Sequence, residues 1–129
     1  MSDISIRVPA RPDFVHILRS VVAGAAARAN FTYDEIDDVR LAVDEACGQL
    51  LAGGSATTLT MTVRIGTPNE LEVVASIDAT SRGWPPPGAE RSLGWQVLSA
   101  LADDARYEQA DGRPAVRIVK RRHPAGDRS

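Results

Sequence analysis

Glu45 and Gln49 are the two side chains whose types and spacing best suit chemistry in this sequence. They stand four residues apart in a stretch with helical periodicity, and residues four apart lie on the same face of a helix. A carboxylate accepts hydrogen bonds or a proton, and a side-chain amide offers both an oxygen acceptor and an N–H donor. The spacing therefore predicts that these two polar groups point together at one ligand.

Length and composition predict one soluble domain. The chain has 129 residues with 43% hydrophobic content, which is enough for one core and too little for two. We expect a single domain over 1–123 and a disordered tail over 124–129. The formal net charge of -2 argues against a nucleic-acid partner, because such proteins usually carry a basic excess.

Cysteine usage and hydropathy indicate the compartment. Cys47 is the only cysteine, so it cannot form an internal disulfide, which fits a reducing environment. Its place on the apolar side of the helix favours a small core residue over a nucleophile. The sequence has neither a membrane-spanning apolar run nor the apolar core of a signal peptide, so we expect a cytoplasmic protein without membrane contact.

Two helices must position the Glu45–Gln49 pair. Residues 4–8 alternate as a strand, and Asp13 then caps a helix whose apolar residues recur at three- and four-residue spacing. Thr32 and Glu35 form a capping box that begins the second helix, which carries the pair and ends at Gly53.

The second half of the chain predicts four strands and a helix. Residues 58–65 alternate strictly and return through a turn as a partner strand over 71–77. A third helix follows over 93–101, and two last strands occupy 105–109 and 115–120. The predicted fold class is α+β, with a layer of helices over a mostly antiparallel sheet. Element order alone does not identify a function.

Three segments carry a resemblance to a known family. Residues 36–47, 94–104 and 112–120 are similar to the motif helices and last hairpin strand of the anti-sigma factor/serine-protein kinase family, within the histidine-kinase-like (GHKL) ATPase superfamily. The resemblance covers nearly the whole chain and is closest to actinobacterial members that control stress or sporulation-type sigma factors. It implies a Bergerat-type ATPase fold, a two-layer sandwich with three helices on one face of the sheet, and a homodimer.

The resemblance also assigns roles on the motif helix. Glu45 matches the family's catalytic glutamate, which orients or deprotonates a hydroxyl. Gln49 stands where the family has an asparagine whose amide oxygen binds magnesium. The extra methylene moves that oxygen by about one bond length, and magnesium demands near-ideal octahedral geometry. The substitution therefore weakens the metal position.

The remaining nucleotide boxes are only partly present. Asp78 matches the family's adenine-binding aspartate, but Thr80 and Arg82 replace its spaced glycines, and Gly83 comes one place late. In the phosphate box, which uses backbone donors at a helix N-terminus, only Gly94 matches and Ser92 replaces the first glycine. The lid is reduced to 84–91 and stiffened by three prolines. These departures together imply weak or lost binding of ATP and magnesium.

Four other side chains have alternative interpretations. His16 and Arg19 lie on the exposed side of the first helix, where simple solvent exposure is the common case, but the resemblance implies that this position grips a partner protein. Trp84 and Trp95 fit packing in the core or under the lid, and an exposed Trp84 would instead suit a partner surface.

The resulting hypothesis is an anti-sigma factor-like regulator that sequesters a sigma factor and is countered by an anti-anti-sigma partner of the STAS type. One alternative is an active serine kinase that phosphorylates the anti-anti-sigma factor with ATP and magnesium, using Glu45 as base. A further alternative is a sensor module for another small ligand. Nucleotide binding is the observation that separates these hypotheses.

Overall fold

The elements follow one another in the order that the sequence predicts. The structure is a computed structural model that describes residues 2–66 and 69–123, so the predicted tail over 124–129 lies outside the described residues. The elements are β1 (Ser2–Pro9), α1 (Val15–Arg28), α2 (Tyr33–Leu51), β2 (Thr58–Gly66), β3 (Glu70–Ile77), α3 (Leu93–Leu101), β4 (Asp104–Ala110) and β5 (Arg113–Arg121). Single 3-10 turns at Pro12–Phe14 and Ala89–Arg91 precede α1 and α3.

The five strands form one antiparallel sheet in the order β1-β2-β3-β5-β4. Each neighbouring pair is antiparallel, including β3 with β5, which are separated in the sequence by α3 and β4. The predicted α+β class with an antiparallel sheet is thus confirmed. Because β5 lies between β3 and β4, β4 becomes an edge strand.

One face of the sheet packs against the helices and forms the core. Along β3, buried residues alternate with half-buried ones, as expected when one face is covered by helices and the other faces solvent. The largest fully buried side chains come from the helices and the inner sheet face: Leu18, Val22, Val39, Val43, Leu50, Leu59, Met61, Val63, Leu71, Val73, Leu98 and Ile118. Cys47 is fully buried among them, which confirms its interpretation as a core residue.

The start of α2 is held by the predicted capping box. The Glu35 backbone N–H donates to the Thr32 hydroxyl at 3.2 Å, and the Thr32 N–H donates to Glu35 Oε1 at 2.8 Å. The second Glu35 oxygen accepts a hydrogen bond from the backbone of His123 at 2.9 Å. The cap therefore fixes the beginning of α2 and also ties it to the segment that follows β5.

A buried lysine joins α2, α3 and β5. Lys120 on β5 is 8% exposed, and its ammonium donates to Asp38 of α2 at 3.0 Å and to the backbone carbonyl of Leu101 at 2.9 Å. A buried ammonium needs such partners, because an unpaired charge in the interior is costly. Leu101 ends α3, so this contact fixes the C-terminal end of α3 against α2.

The helix-free face of the sheet carries alternating charges that cross all five strands. Arg64 contacts Asp3 at 3.2 Å and Glu72 at 4.0 Å, and Arg117 contacts Glu72 at 2.6 Å and Glu108 at 2.8 Å. Hydrogen bonding to Glu108 is the main cause that raises the pKa of Arg117. Cross-strand pairs of opposite charge stabilise a sheet modestly, so this row supports the strand register.

The helices of the described part of the chain are all too short or too polar to cross a membrane.

The capping box generates a stability prediction. Thr32→Ala leaves the Glu35 N–H without its side-chain acceptor, so we expect the free energy of unfolding to fall by about 1 kcal/mol. Urea unfolding followed by circular dichroism measures the change. Ser20→Ala is the matched control, because the Ser20 hydroxyl only donates back to the His16 carbonyl in its own helix at 3.1 Å. Equal losses in both variants would contradict the role given to the cap.

Candidate functional site

The Glu45–Gln49 pair is assembled as the helical spacing predicts. Both side chains are half-buried on α2, and Gln49 Nε2 donates a hydrogen bond to Glu45 Oε2 at 3.0 Å. This bond occupies one carboxylate oxygen and one amide N–H. The two side chains, one helical turn apart, are therefore hydrogen-bonded to each other.

The backbone of α3 lies directly against this pair at Gly94. A Cβ atom at Gly94 would stand 2.5 Å from Gln49 Nε2 and 2.6 Å from Glu45 Oε2, which is closer than real Cβ atoms approach their neighbours. Ser92, two residues before Gly94, caps the helix, since its hydroxyl accepts from the Trp95 N–H at 3.1 Å. The missing side chain at Gly94 is what lets the N-terminal turn of α3 sit over the carboxylate and the amide.

Tyr107 of β4 closes the pair from another direction. Its hydroxyl donates to Gln49 Oε1 at 2.6 Å, so both ends of the amide are engaged. The ring centroid lies 5.5 Å from that of Trp84 in an edge-to-face arrangement and 5.1 Å from that of Trp95. Burial is the main cause that raises the pKa of Tyr107 above its ordinary value. The phenol is therefore neutral at physiological pH and acts as a donor.

Two adjoining cavities surround this cluster. The first has a volume of about 360 Å³ and is lined by Glu45, Gln49, Ala52, Trp84, Pro86, Pro87, Gly88, Ala89, Ser92, Gly94 and Tyr107. The second, of about 400 Å³, shares Gln49, Ala52, Trp84 and Pro86 with the first and extends past Ile77, Ala79, Thr80, Arg82 and Gly83. Trp84 is thus a shared wall, and its indole N–H donates to the Ala115 carbonyl at 3.2 Å.

Six of the seven predicted catalytic, nucleotide-binding and metal residues line these cavities. Glu45, Gln49, Ser92 and Gly94 line the first, and Thr80 and Gly83 line the second. Gly83 has a φ of 77°, a conformation in which glycine is the favoured residue. The structure therefore brings the boxes that the sequence suggests to one region, divided by Trp84.

Asp78 is not brought to either cavity. Its carboxylate accepts hydrogen bonds from the backbone N–H groups of Thr57 at 2.8 Å and Thr58 at 3.0 Å, and from the Thr57 hydroxyl. The Thr57 hydroxyl is the main cause that lowers the pKa of Asp78 to about 2, with the two backbone donors next. In this position Asp78 ties the end of β3 to the start of β2.

His16 and Arg19 lie at a separate surface. They line a groove of about 420 Å³ between α1 and α2, together with Ser20, Ala23 and Arg40. Arg19 is 3.4 Å from Asp44, and Arg40 is 3.1 Å from Asp37. His16 Nδ1 lies 2.8 Å from the Asp13 carbonyl oxygen. This groove gathers three basic side chains, and Arg40 is the member that sequence reasoning missed.

The donor set does not fit a magnesium ion as it stands. Magnesium requires oxygen ligands in near-ideal octahedral geometry at about 2.0–2.1 Å. The Gln49 oxygen already accepts the Tyr107 proton, and Glu45 Oε2 already accepts an amide proton. Within 2–66 and 69–123, three or more His, Cys, Asp or Glu side chains do not gather anywhere in a metal-binding group.

Tyr107 is the site residue that the sequence did not reveal. The sequence predicts only that it lies in a strand over 105–109, and its partner Gln49 is 58 residues away. The contact arises because β4 lies at the sheet edge beside β5, which places it near α2 and α3. A strand tyrosine with no local partner carries no spacing signal that would have identified it.

Comparisons with known proteins agree with this architecture. The profile of the histidine kinase-like ATPase domain matches residues 8–120. The serine-protein kinase RsbW of Bacillus subtilis (strain 168) is 50% identical over 44 residues, which cover 34% of this chain and 28% of that protein. RsbW of Bacillus licheniformis is 28% identical over 135 residues, covering 91% of this chain and 84% of that protein. The match thus spans less than a third of the length of the first relative.

A solved structure shares the fold. The crystal structure of the RsbU and RsbW domains of Rv1364c from Mycobacterium tuberculosis matches 97% of this chain and 34% of that chain, with a TM-score of 0.75 and 15% identity. Likeness at this level of identity shows the fold alone.

Asp78 generates a prediction for acid stability. A carboxyl whose pKa is lowered from 3.8 to about 2 by folding contributes stability that is fully present above pH 4 and is lost as the pH falls toward 2. We expect Asp78→Asn to be less stable than the wild type at pH 7, with the difference shrinking between pH 4 and pH 2. Thermal unfolding across that range measures it.

The control for Asp78 is Asp111→Asn. Asp111 lies in the exposed β4–β5 turn with a φ of 53°, which asparagine also tolerates. A pH-independent difference for Asp78→Asn, or an equal effect of Asp111→Asn, would contradict the account of Asp78.

Gly94 generates a second prediction from the close approach. Gly48→Ala on α2 meets no atom within 4 Å, so we expect it to gain up to about 1 kcal/mol from helix propensity. Gly94→Ala must displace Gln49 and Glu45, so its stability gain should be smaller or negative, and tryptophan emission should change. Urea unfolding and fluorescence spectra test this. Identical behaviour of the two alanine variants would show that the close approach has no consequence.

Proposed function

Because the chain belongs to the histidine kinase-like ATPase domain family, we propose that it acts as a cytoplasmic anti-sigma factor with weak or lost ATP binding. In this proposal the chain binds and sequesters a sigma factor as a homodimer and releases it when an anti-anti-sigma partner of the STAS type competes. The ATPase-like fold serves as a scaffold for protein binding. The similarity to two RsbW proteins supports this choice within the family.

The observation that carries the proposal is the closed state of the Glu45–Gln49 pair. In the anti-sigma factor/serine-protein kinase family that the sequence resembles, these positions supply the base and the metal ligand of a kinase. Here Gln49 bonds Glu45 through its nitrogen and Tyr107 through its oxygen, and the α3 backbone lies against both side chains. Three of the four polar atoms of the pair, Glu45 Oε2 and both amide atoms of Gln49, are hydrogen-bonded within the protein, which favours a scaffold over an enzyme.

The basic groove between α1 and α2 supplies a partner surface. His16, Arg19 and Arg40 line it, and both arginines are partly exposed. Each arginine has an acidic neighbour at only one of its nitrogens, and a guanidinium carries five N–H donors. An acidic segment of a sigma factor or of its antagonist fits this charge and donor pattern.

A specific observation keeps the kinase as a second candidate. Glu45 is retained, lines the first cavity and has its second carboxylate oxygen available beside the N-terminal turn of α3. In the kinase hypothesis, Glu45 would accept the proton of a partner serine hydroxyl during phosphoryl transfer. The relatives named serine-protein kinases support this candidate as well.

Partner capture tests the proposal. The full chain should retain a sigma factor of its host, and a STAS-type protein should release it. The double variant His16→Ala/Arg19→Ala should lose about tenfold in affinity, since truncation of central charged anchors costs roughly that much. Arg106→Ala is the matched control, because Arg106 is exposed on β4 and lies outside the groove.

Three outcomes separate the candidates. Sigma capture without phosphate transfer to the STAS partner supports the scaffold. Transfer of phosphate from ATP to a serine of that partner, lost in Glu45→Gln, supports the kinase instead. Failure to capture any sigma factor or antagonist would refute both and leave a small-ligand sensor as the better account. Light scattering of the same samples reports whether the chain is a dimer.

A further inference from the structure

The Tyr107 hydroxyl is hydrogen-bonded to Gln49 Oε1, the amide atom that a cation would bind. The phenol hydroxyl donates to Gln49 Oε1 at 2.6 Å, a short and well-formed O–H···O bond. A cation that approached this oxygen would meet the phenolic hydroxyl. The other atom of the amide, Nε2, cannot bind the cation instead, because it is a hydrogen-bond donor. It already donates to Glu45 at 3.0 Å.

The phenol is held in this position by its neighbours. Trp84 contacts the ring edge-to-face at a centroid distance of 5.5 Å, and Trp95 contacts it at 5.1 Å. Such aromatic pairs contribute beyond their buried area, so withdrawal of the ring would break two favourable contacts. Trp84 is itself anchored, since its indole N–H donates to Ala115 and its backbone carbonyl accepts from Gln109 at 3.3 Å.

The α3 backbone bounds the Glu45–Gln49 pair on another side. A Cβ atom at Gly94 would stand 2.5 Å from Gln49 Nε2 and 2.6 Å from Glu45 Oε2, so the helix passes close to both side-chain ends. The amide is therefore enclosed by Glu45, by the α3 backbone and by the Tyr107 hydroxyl. The hydroxyl is the part of this enclosure that a single-atom substitution can remove.

We propose that Tyr107 is a specificity-determining residue that keeps the Glu45–Gln49 site closed to a divalent cation and to cation-bound phosphate. The inference rests on the proposed function and deepens it, because it names the side chain that keeps the scaffold from binding nucleotide through magnesium. The hydroxyl uses one of the two lone pairs of the Gln49 oxygen and stands beside the other, and the two tryptophans hold it there. A purely structural tyrosine would have no effect on ligand choice.

The decisive variant is Tyr107→Phe, which keeps the ring between Trp84 and Trp95 and removes only the hydroxyl. We expect Tyr107→Phe to gain at least about fivefold in ATP affinity when magnesium is present, and to gain nothing without magnesium, since a net hydrogen bond is of that size. Calorimetric titration with ATP, with and without magnesium chloride, measures both. Emission from Trp84 and Trp95, the chain's two tryptophans, gives a second readout.

Tyr33→Phe is the matched control. Tyr33 is 89% exposed at the start of α2, and it is the other tyrosine of the chain. It should bind ATP and magnesium as the wild type does. Circular dichroism and thermal unfolding verify that each variant is folded.

Gln49→Asn keeps the test falsifiable if Tyr107→Phe fails to fold. The shorter side chain retains the amide but withdraws its oxygen from the Tyr107 hydroxyl, so magnesium-dependent affinity should again rise. If Tyr107→Phe folds and shows no gain in magnesium-dependent affinity, the inference is overturned. If Tyr107→Phe does not fold, a folded Gln49→Asn without that gain overturns it instead. Sigma capture by the wild type is measured separately, so it can stand when this inference fails. Tight magnesium-dependent ATP binding by the wild type itself would overturn the inference and also the claim of weak nucleotide binding.

Discussion

The packing of the α3 backbone at Gly94 against the Glu45–Gln49 pair is the contact on which the site depends. It brings the N-terminal turn of α3 over a carboxylate and an amide on α2, with no side chain between them. The capping box of Thr32 and Glu35 fixes the start of α2, and Lys120 fixes the far end of α3 through Asp38 and Leu101. Both helices are held in this way, and Tyr107 completes the enclosure of the pair.

The local features of this arrangement were predictable from the sequence, and the long-range ones were not. The capping box, the alternating strands and the shared face of Glu45 and Gln49 depend on residues within one turn or one strand of each other. The hydrogen bond between Tyr107 and Gln49 depends on the position of β5 between β3 and β4, which periodicity does not report. Asp78 shows the same limit. Its place after β3 was predicted, but the direction of its carboxylate toward Thr57 is decided by the neighbouring strand.

The site therefore combines the architecture of an ATPase-like family with polar groups that bond one another. The sequence departs from the family pattern at Gln49, at the glycines near Thr80 and in the short lid. In the structure these three places lie around Trp84 and Tyr107. Loss of a nucleotide function would leave such a fold free to serve as a binding scaffold. The groove of His16, Arg19 and Arg40 shares α2 with the closed pair but is lined by different residues, so the proposed partner binding does not require an open nucleotide site.

The most direct test of the central claim is calorimetric titration of the wild-type chain with ATP in the presence of magnesium chloride. The account predicts little or no heat of binding at micromolar ATP, and no difference when magnesium is replaced by a chelator. Saturable, magnesium-dependent binding with micromolar affinity would contradict it, because the Gln49 oxygen would then have to leave Tyr107 and serve the metal in the native protein.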